Sequence, residues 1–219
     1  MNNKYISIKE YLSPVHYEIG INLELFSTIQ SRIVNKYDAP EELSYSVIGS
    51  GAFIALFDKY LFHCIEEVIE TRDEFKKGMQ CKTIKEEMVD ILLYLGSMNY
   101  IIKLNLEYFH MATDLNINLD YYTTKAYSKE TFDSKLMEVI QLLVDQRRMF
   151  PQRKWHKPAT EMPEIQMKYT LKTLYSKNIN AMKIVLSLLL ASSLVDVNEI
   201  NMLINTKQTF AIDYQYQSN

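Results

Sequence analysis

Two short acidic runs are the residues of this chain best suited to chemistry: Glu66-Glu67-Val68-Ile69-Glu70 and, after sixteen intervening residues, Glu87-Met88-Val89-Asp90. On helices, carboxylates three and four apart fall on one stripe. Taken alone, the first run is what a solvated helix face carries. The second differs, because Glu87 and Asp90 lead into Ile-Leu-Leu-Tyr-Leu-Gly-Ser-Met-Asn-Tyr-Ile-Ile, which is apolar on nearly every face and reads as a buried helix. Glu87 and Asp90 share a stripe with Tyr94, Met98 and Ile101. An ionised carboxylate turned into protein costs several kcal/mol unless it is paired or binds a metal. Lys82 and Lys85 precede the stripe and account for one acid at most. Glu67, Glu70, Glu87 and Asp90 therefore call for a divalent cation. Hard oxygen donors without Cys or a paired His point to Mg²⁺, with Mn²⁺ as a substitute. Magnesium shares its shell readily with phosphate oxygens, which suggests a triphosphate as substrate. A di-iron site of the ferritin kind needs Glu-x-x-His on two helices, and the chain has none.

Helices must position these acids. Apolar residues Phe57, Leu61, Cys64, Ile65, Val68 and Phe75 recur at helical spacing, with Glu67, Glu70 and Glu74 along one flank of that face and His63 on the same stripe. This helix covers about 45–77, with a break at Gly49-Ser50-Gly51, and Gly78 ends it after Lys76 and Lys77. Further helices are expected over about 15–37, 83–106, 131–150 and 164–194, with a last one after Asp196-Val197-Asn198-Glu199. The stretch 114–128 lacks sustained periodicity and reads as a connection between two halves. The expected fold is all-α: one domain over 1–219, a helical bundle with the carboxylate site in a first half (about 15–110) and a second half at about 129–215.

Composition agrees. Only 5 Gly and 5 Pro among 219 residues leave few punctuating residues for a meander of short strands. A formal charge of -3 gives no basic footprint for a nucleic-acid polymer. The longest apolar stretch, 184–194, is too short for a membrane span, which needs ~20 residues. The start of the chain is mixed and polar, without a signal-peptide pattern, and Cys64 and Cys81 lack metal or redox spacing. A cytoplasmic protein with buried free thiols is expected. No GxxxxGK[ST] loop is present, and no Ser or Cys sits beside His16, His63, His110 or His156 in a nucleophilic arrangement.

The paired acidic runs resemble the EExxE…ExxD motif of the all-α nucleoside triphosphate pyrophosphohydrolases, the superfamily of the MazG enzymes and the dimeric dUTPases. About fifty residues carry the likeness directly. Arg153-Lys154-Trp155-His156-Lys157 is similar to the Trp/Lys-rich loop of dimeric dUTPases, and 192–210 to their tail. Two departures are visible. Leu93 stands where those enzymes usually carry His, and Thr209-Phe210-Ala211 replaces their usual Asn and Arg-Gln continuation. The resemblance implies a Mg²⁺-dependent hydrolase acting on a deoxynucleotide such as dUTP or dCTP, giving a nucleoside monophosphate and pyrophosphate. Glu67, Glu70, Glu87 and Asp90 would hold the metal, and Glu66 or Glu70 would orient or deprotonate the attacking water. Arg153, Lys154 and Lys157 are candidates to clamp phosphates, with Lys207 a weaker one. Trp155 either stacks on a base or pins its loop to the bundle. Relatives are commonly dimers or tetramers, so a homodimer is an open expectation.

The halves can be laid on one another, Glu66-Glu67-Val68-Ile69-Glu70 upon Met137-Glu138-Val139-Ile140-Gln141, which places Lys177 and Asn180 where the first half has Glu87 and Asp90. The second copy would have lost its ligands, leaving two degenerate helical hairpins with one active centre. The rival expectation is a non-catalytic helical bundle that keeps this fold and binds a partner or a nucleotide.

Overall fold

The computed structural model describes residues 17–22, 48, 50–78, 81–111, 116–121, 128–150, 163–191, 199, 202–204 and 206–207. Four long helices make its body: α1 (Gly51–Lys77), α2 (Cys81–Tyr108), α3 (Lys129–Arg148) and α4 (Glu164–Ala191). The fold is the all-α bundle expected from the sequence. Residues Glu199, Met202, Leu203, Ile204, Thr206 and Lys207 are helical as well and belong to a C-terminal segment.

Helix ends follow local chemistry. Ser50 caps α1, its hydroxyl accepting from the amide of Phe53 at 3.1 Å, so the Gly49-Ser50-Gly51 break is a helix start. Gly78 ends α1 at φ 72°, in the left-handed region where a side chain is strained, and its N–H donates to the carbonyls of Glu74 and Phe75. Ser128 caps α3 through the amide of Thr131 at 3.2 Å.

The α1 stripe Phe53, Phe57, Leu61, Cys64 and Val68 is fully buried. It packs on α2, whose Met88, Val89, Ile91, Leu92, Leu95 and Met98 have no exposed surface. That α2 is buried on several faces agrees with its unbroken apolar run. From the other side α4, with Leu174, Met182, Val185 and Leu189 buried along it, packs on α2, and Asn178 donates across this contact to the carbonyl of Leu95 at 2.9 Å. Helices α1 and α2 form one hairpin and α3 and α4 another; the hairpins meet through α2 on α4 and α1 on α3. Phe150 closes the α1–α3 side against Phe53 and Phe57, with ring centroids 5.5 and 5.3 Å away.

One expectation is corrected. Tyr17–Asn22, read as part of a helix over about 15–37, is a strand, β1; it pairs antiparallel with β2 (Asn116–Tyr121) inside the stretch read as an irregular connection. The remainder of 15–37 lies outside the described residues. In register, Ile19 faces Leu119 and Ile21 faces Ile117. Tyr17, Ile19 and Ile21 alternate with Glu18, Gly20 and Asn22, a period of two that suits a strand better than a helix. Strand β2 lies beside α4.

Candidate metal centre

The α1 core stripe turns Glu67 and Glu70 toward α2, where Glu87 faces them. Oxygens of these three carboxylates all lie within 4.8 Å of one another. One contact crosses the hairpin that brings them together, Cys64 Sγ donating to the carbonyl of Ile91 at 3.9 Å, while within α1 the buried Thr71 hydroxyl donates to the carbonyl of Glu67 at 2.8 Å. Glu67 and Glu87 are partly buried, and Glu70 is exposed.

Asp90 sits one turn beyond Glu87, with 26% of its side-chain surface exposed. It does not join the three-oxygen cluster. Its carboxylate forms an ion pair with Lys207 of the C-terminal segment, whose ammonium also donates to the carbonyl of Glu86 at 2.8 Å. A second pair, Lys85 with Glu199, ties the same segment to α2 with the opposite polarity. The sequence placed Lys207 as a candidate for phosphate; the structure puts it on one of the expected metal ligands. Neither contact is signalled locally, since more than a hundred residues separate the partners in both pairs.

The electrostatics follow from crowding. Burial pushes the Glu67 carboxyl up to about 8, reinforced by the charge of Asp90, a hydrogen bond with Glu87, and the charges of Glu87 and Glu70. Burial also raises Asp90, against the pull of Lys207. Tyr94, stacked on His63 at 5.5 Å between ring centroids, is pushed up to about 12 by burial and by Glu67 and Asp90. The ion pairs of the described residues bring no cation to Glu67, Glu70 or Glu87.

This donor set fits magnesium. Octahedral ligands at ~2.1 Å stand at most ~4.2 Å apart, which small side-chain adjustments reach from the observed spread. All donors are hard oxygens, as magnesium and manganese prefer. Glu66 faces away to solvent, hydrogen-bonded to Nδ1 of His63 at 3.0 Å. Arg153, Lys154, Trp155 and Lys157 lie outside the described residues, so the expected phosphate clamp is not part of this geometry. Of the arginines leading to that stretch, Arg147 pairs with Asp58 at 2.7 Å and Arg148 approaches Asp145 at 3.5 Å. Cys64 is a buried free thiol as expected.

Fold and site together define a helical bundle with a carboxylate cluster between two adjacent helices. Compared with family models, curated proteins and solved structures, the chain gives no match. No helix of the described residues is long and apolar enough to cross a membrane.

Proposed function

We propose that this protein is a Mg²⁺-dependent nucleoside triphosphate pyrophosphohydrolase, acting on a deoxynucleotide of the dUTP or dCTP kind. The observation that carries the reading is the convergence of Glu67, Glu70 and Glu87 from consecutive helices onto a space 4.8 Å across. Among the described residues no ion pair brings a cation to Glu67, Glu70 or Glu87, and a divalent cation would offset the cost of gathering them.

When bound, magnesium supplies Lewis acidity to phosphate oxygens and acidifies water. Glu67 and Glu87 hold the buried side of the site, where burial first and the neighbouring acids second raise Glu67, a cost that a bound cation would relieve. Glu70, exposed at the rim, is the carboxylate best placed to orient water and accept its proton. Glu66 is weaker in that role, being engaged with His63. Water adds to the α-phosphorus, the bond to the bridging oxygen breaks, and pyrophosphate leaves with the electron pair. The products are a nucleoside monophosphate and pyrophosphate, with no covalent enzyme intermediate.

A second reading, a non-catalytic bundle of the same fold, is favoured by one observation: Asp90 already has a cation in Lys207. Pyrophosphate release from a panel of dNTPs and NTPs including dUTP, with and without Mg²⁺, separates the two. Metal-dependent release that Glu70→Gln abolishes supports the hydrolase; no release from any nucleotide supports the binding protein.

A further inference from the structure

Resting on the metal-site reading above, we propose that Lys207 is a built-in counter-cation which a divalent ion must displace from Asp90, so that site occupancy controls how the C-terminal segment is held. The ammonium of Lys207 spends two of its donors on one turn of α2, on the Asp90 carboxylate and the Glu86 carbonyl. Asp90 lies one turn of α2 beyond Glu87, which stands in the carboxylate cluster, so the lysine neutralises part of the same acidic group that calls for a metal. A divalent ion taking an Asp90 oxygen would stand beside the ammonium as a like charge, and the two are therefore alternatives.

The segment is built to survive that exchange. Ile204 is 2% exposed and belongs to the core, and Glu199 is tied separately to Lys85. Glu199 and Lys207 are eight positions apart along the segment. Losing the Lys207 contact therefore frees one end of the segment while the other stays anchored. Linkage makes the effect reciprocal: whatever factor the lysine takes from metal affinity, metal takes from the lysine's hold.

The test uses the full chain and Mn²⁺ or Mg²⁺ alone, by titration calorimetry at fixed pH. Lys207→Met is expected to bind the ion roughly 5- to 150-fold more tightly than the native chain, the usual range of coupling between two sites. Lys85→Met, which loosens the same segment away from Asp90, is expected to bind as the native chain does. In the native chain, adding Mg²⁺ is expected to raise amide hydrogen exchange over residues 199–207. Equal or weaker metal binding by Lys207→Met, an equal gain in Lys85→Met, or unchanged or slower exchange in the native chain overturns the lysine's role and leaves the metal site standing. Absence of binding by both the native chain and Lys207→Met removes the metal site itself, and the inference with it.

Discussion

Lys177 donates to Asp145 at 3.2 Å, and Lys177 is the residue that falls where Glu87 stands when the two halves of the chain are overlaid. Gln141, which falls where Glu70 stands, donates to the same carboxylate at 2.8 Å. The α3–α4 hairpin thus answers its acid with an ammonium and an amide, and Asp145 is held below the usual carboxylate range by Lys177 first and Gln141 second. In the α1–α2 hairpin the equivalent positions are all acids, and Glu67 is driven the other way. Under that overlay the two hairpins carry opposite electrostatics, which makes the second a control for the first.

Replacing Lys177 by Met should therefore leave metal affinity and any pyrophosphate release unchanged. Stability should fall only slightly, because both partners are partly exposed and such pairs are weak. Calorimetry with Mn²⁺ and the urea midpoint measure the two effects. A change in metal affinity would show that the α3–α4 hairpin contributes to the site after all.

The acids of the first hairpin should behave differently. Glu70→Gln, Glu87→Gln and Asp90→Asn are each expected to lower metal-dependent release by at least about 100-fold, since even outer-sphere partners of a metal are worth about 10- to 100-fold. In metal-free buffer above about pH 8, where Glu67 has lost its proton, Glu87→Gln should however raise the thermal midpoint, because it removes a charge that Glu67 and Glu70 then oppose. Activity and stability moving in opposite directions is the signature sought. A lower midpoint accompanying lost activity would mean that Glu87 serves the fold instead.

The pH dependence has a definite sign. In the folded, metal-free chain Glu67 rises from 4.5 to about 8. Between those values the folded chain keeps a proton that the unfolded chain releases, so stability is fully present below about 4.5 and is lost as the pH climbs through about 8. Asp90, also raised, acts in the same sense. Thermal midpoints in chelator should fall between about pH 5 and about pH 8, and Glu67→Gln should flatten that decline. Magnesium, which binds the deprotonated acids, should flatten it too. A midpoint that rises over this window would contradict the crowding of these carboxylates.

The sequence made the bundle legible because α1 and α2 state their faces plainly: a narrow apolar stripe with an acidic flank in one, an apolar surface almost all round in the other. It also located the convergence of Glu67, Glu70 and Glu87, since spacing on two neighbouring helices determines which side chains can meet. The ribbon escaped because Tyr17–Asn22 and Asn116–Tyr121 are short, and a six-residue alternation becomes informative only beside its partner almost a hundred residues away. The partners of Lys207 and Lys85 escaped for a related reason: the sequence offered Lys207 to phosphate and Lys85 to an acid of its own helix, whereas their pairs with Asp90 and Glu199 come from the tertiary approach of the last segment to α2.

Cys64 offers a probe of the hairpin independent of any ligand. It is wholly buried, on the α1 stripe one turn before Val68, and burial together with the charge of Glu67 pushes its thiol far above the usual range. The thiolate is the reactive form, so in a Cys81→Ser chain Cys64 should resist a thiol reagent such as DTNB until the α1–α2 contact opens. The labelling rate, compared with global unfolding in urea, reports whether that opening is local or global. Rapid labelling of the folded chain would mean that α1 and α2 separate readily, and a site assembled between them would then be transient. Slow labelling at the global rate is expected, because Phe57, Leu61 and Val68 on α1 and Ile91 and Leu95 on α2 are all at most 1% exposed and must come apart together before the sulfur meets solvent.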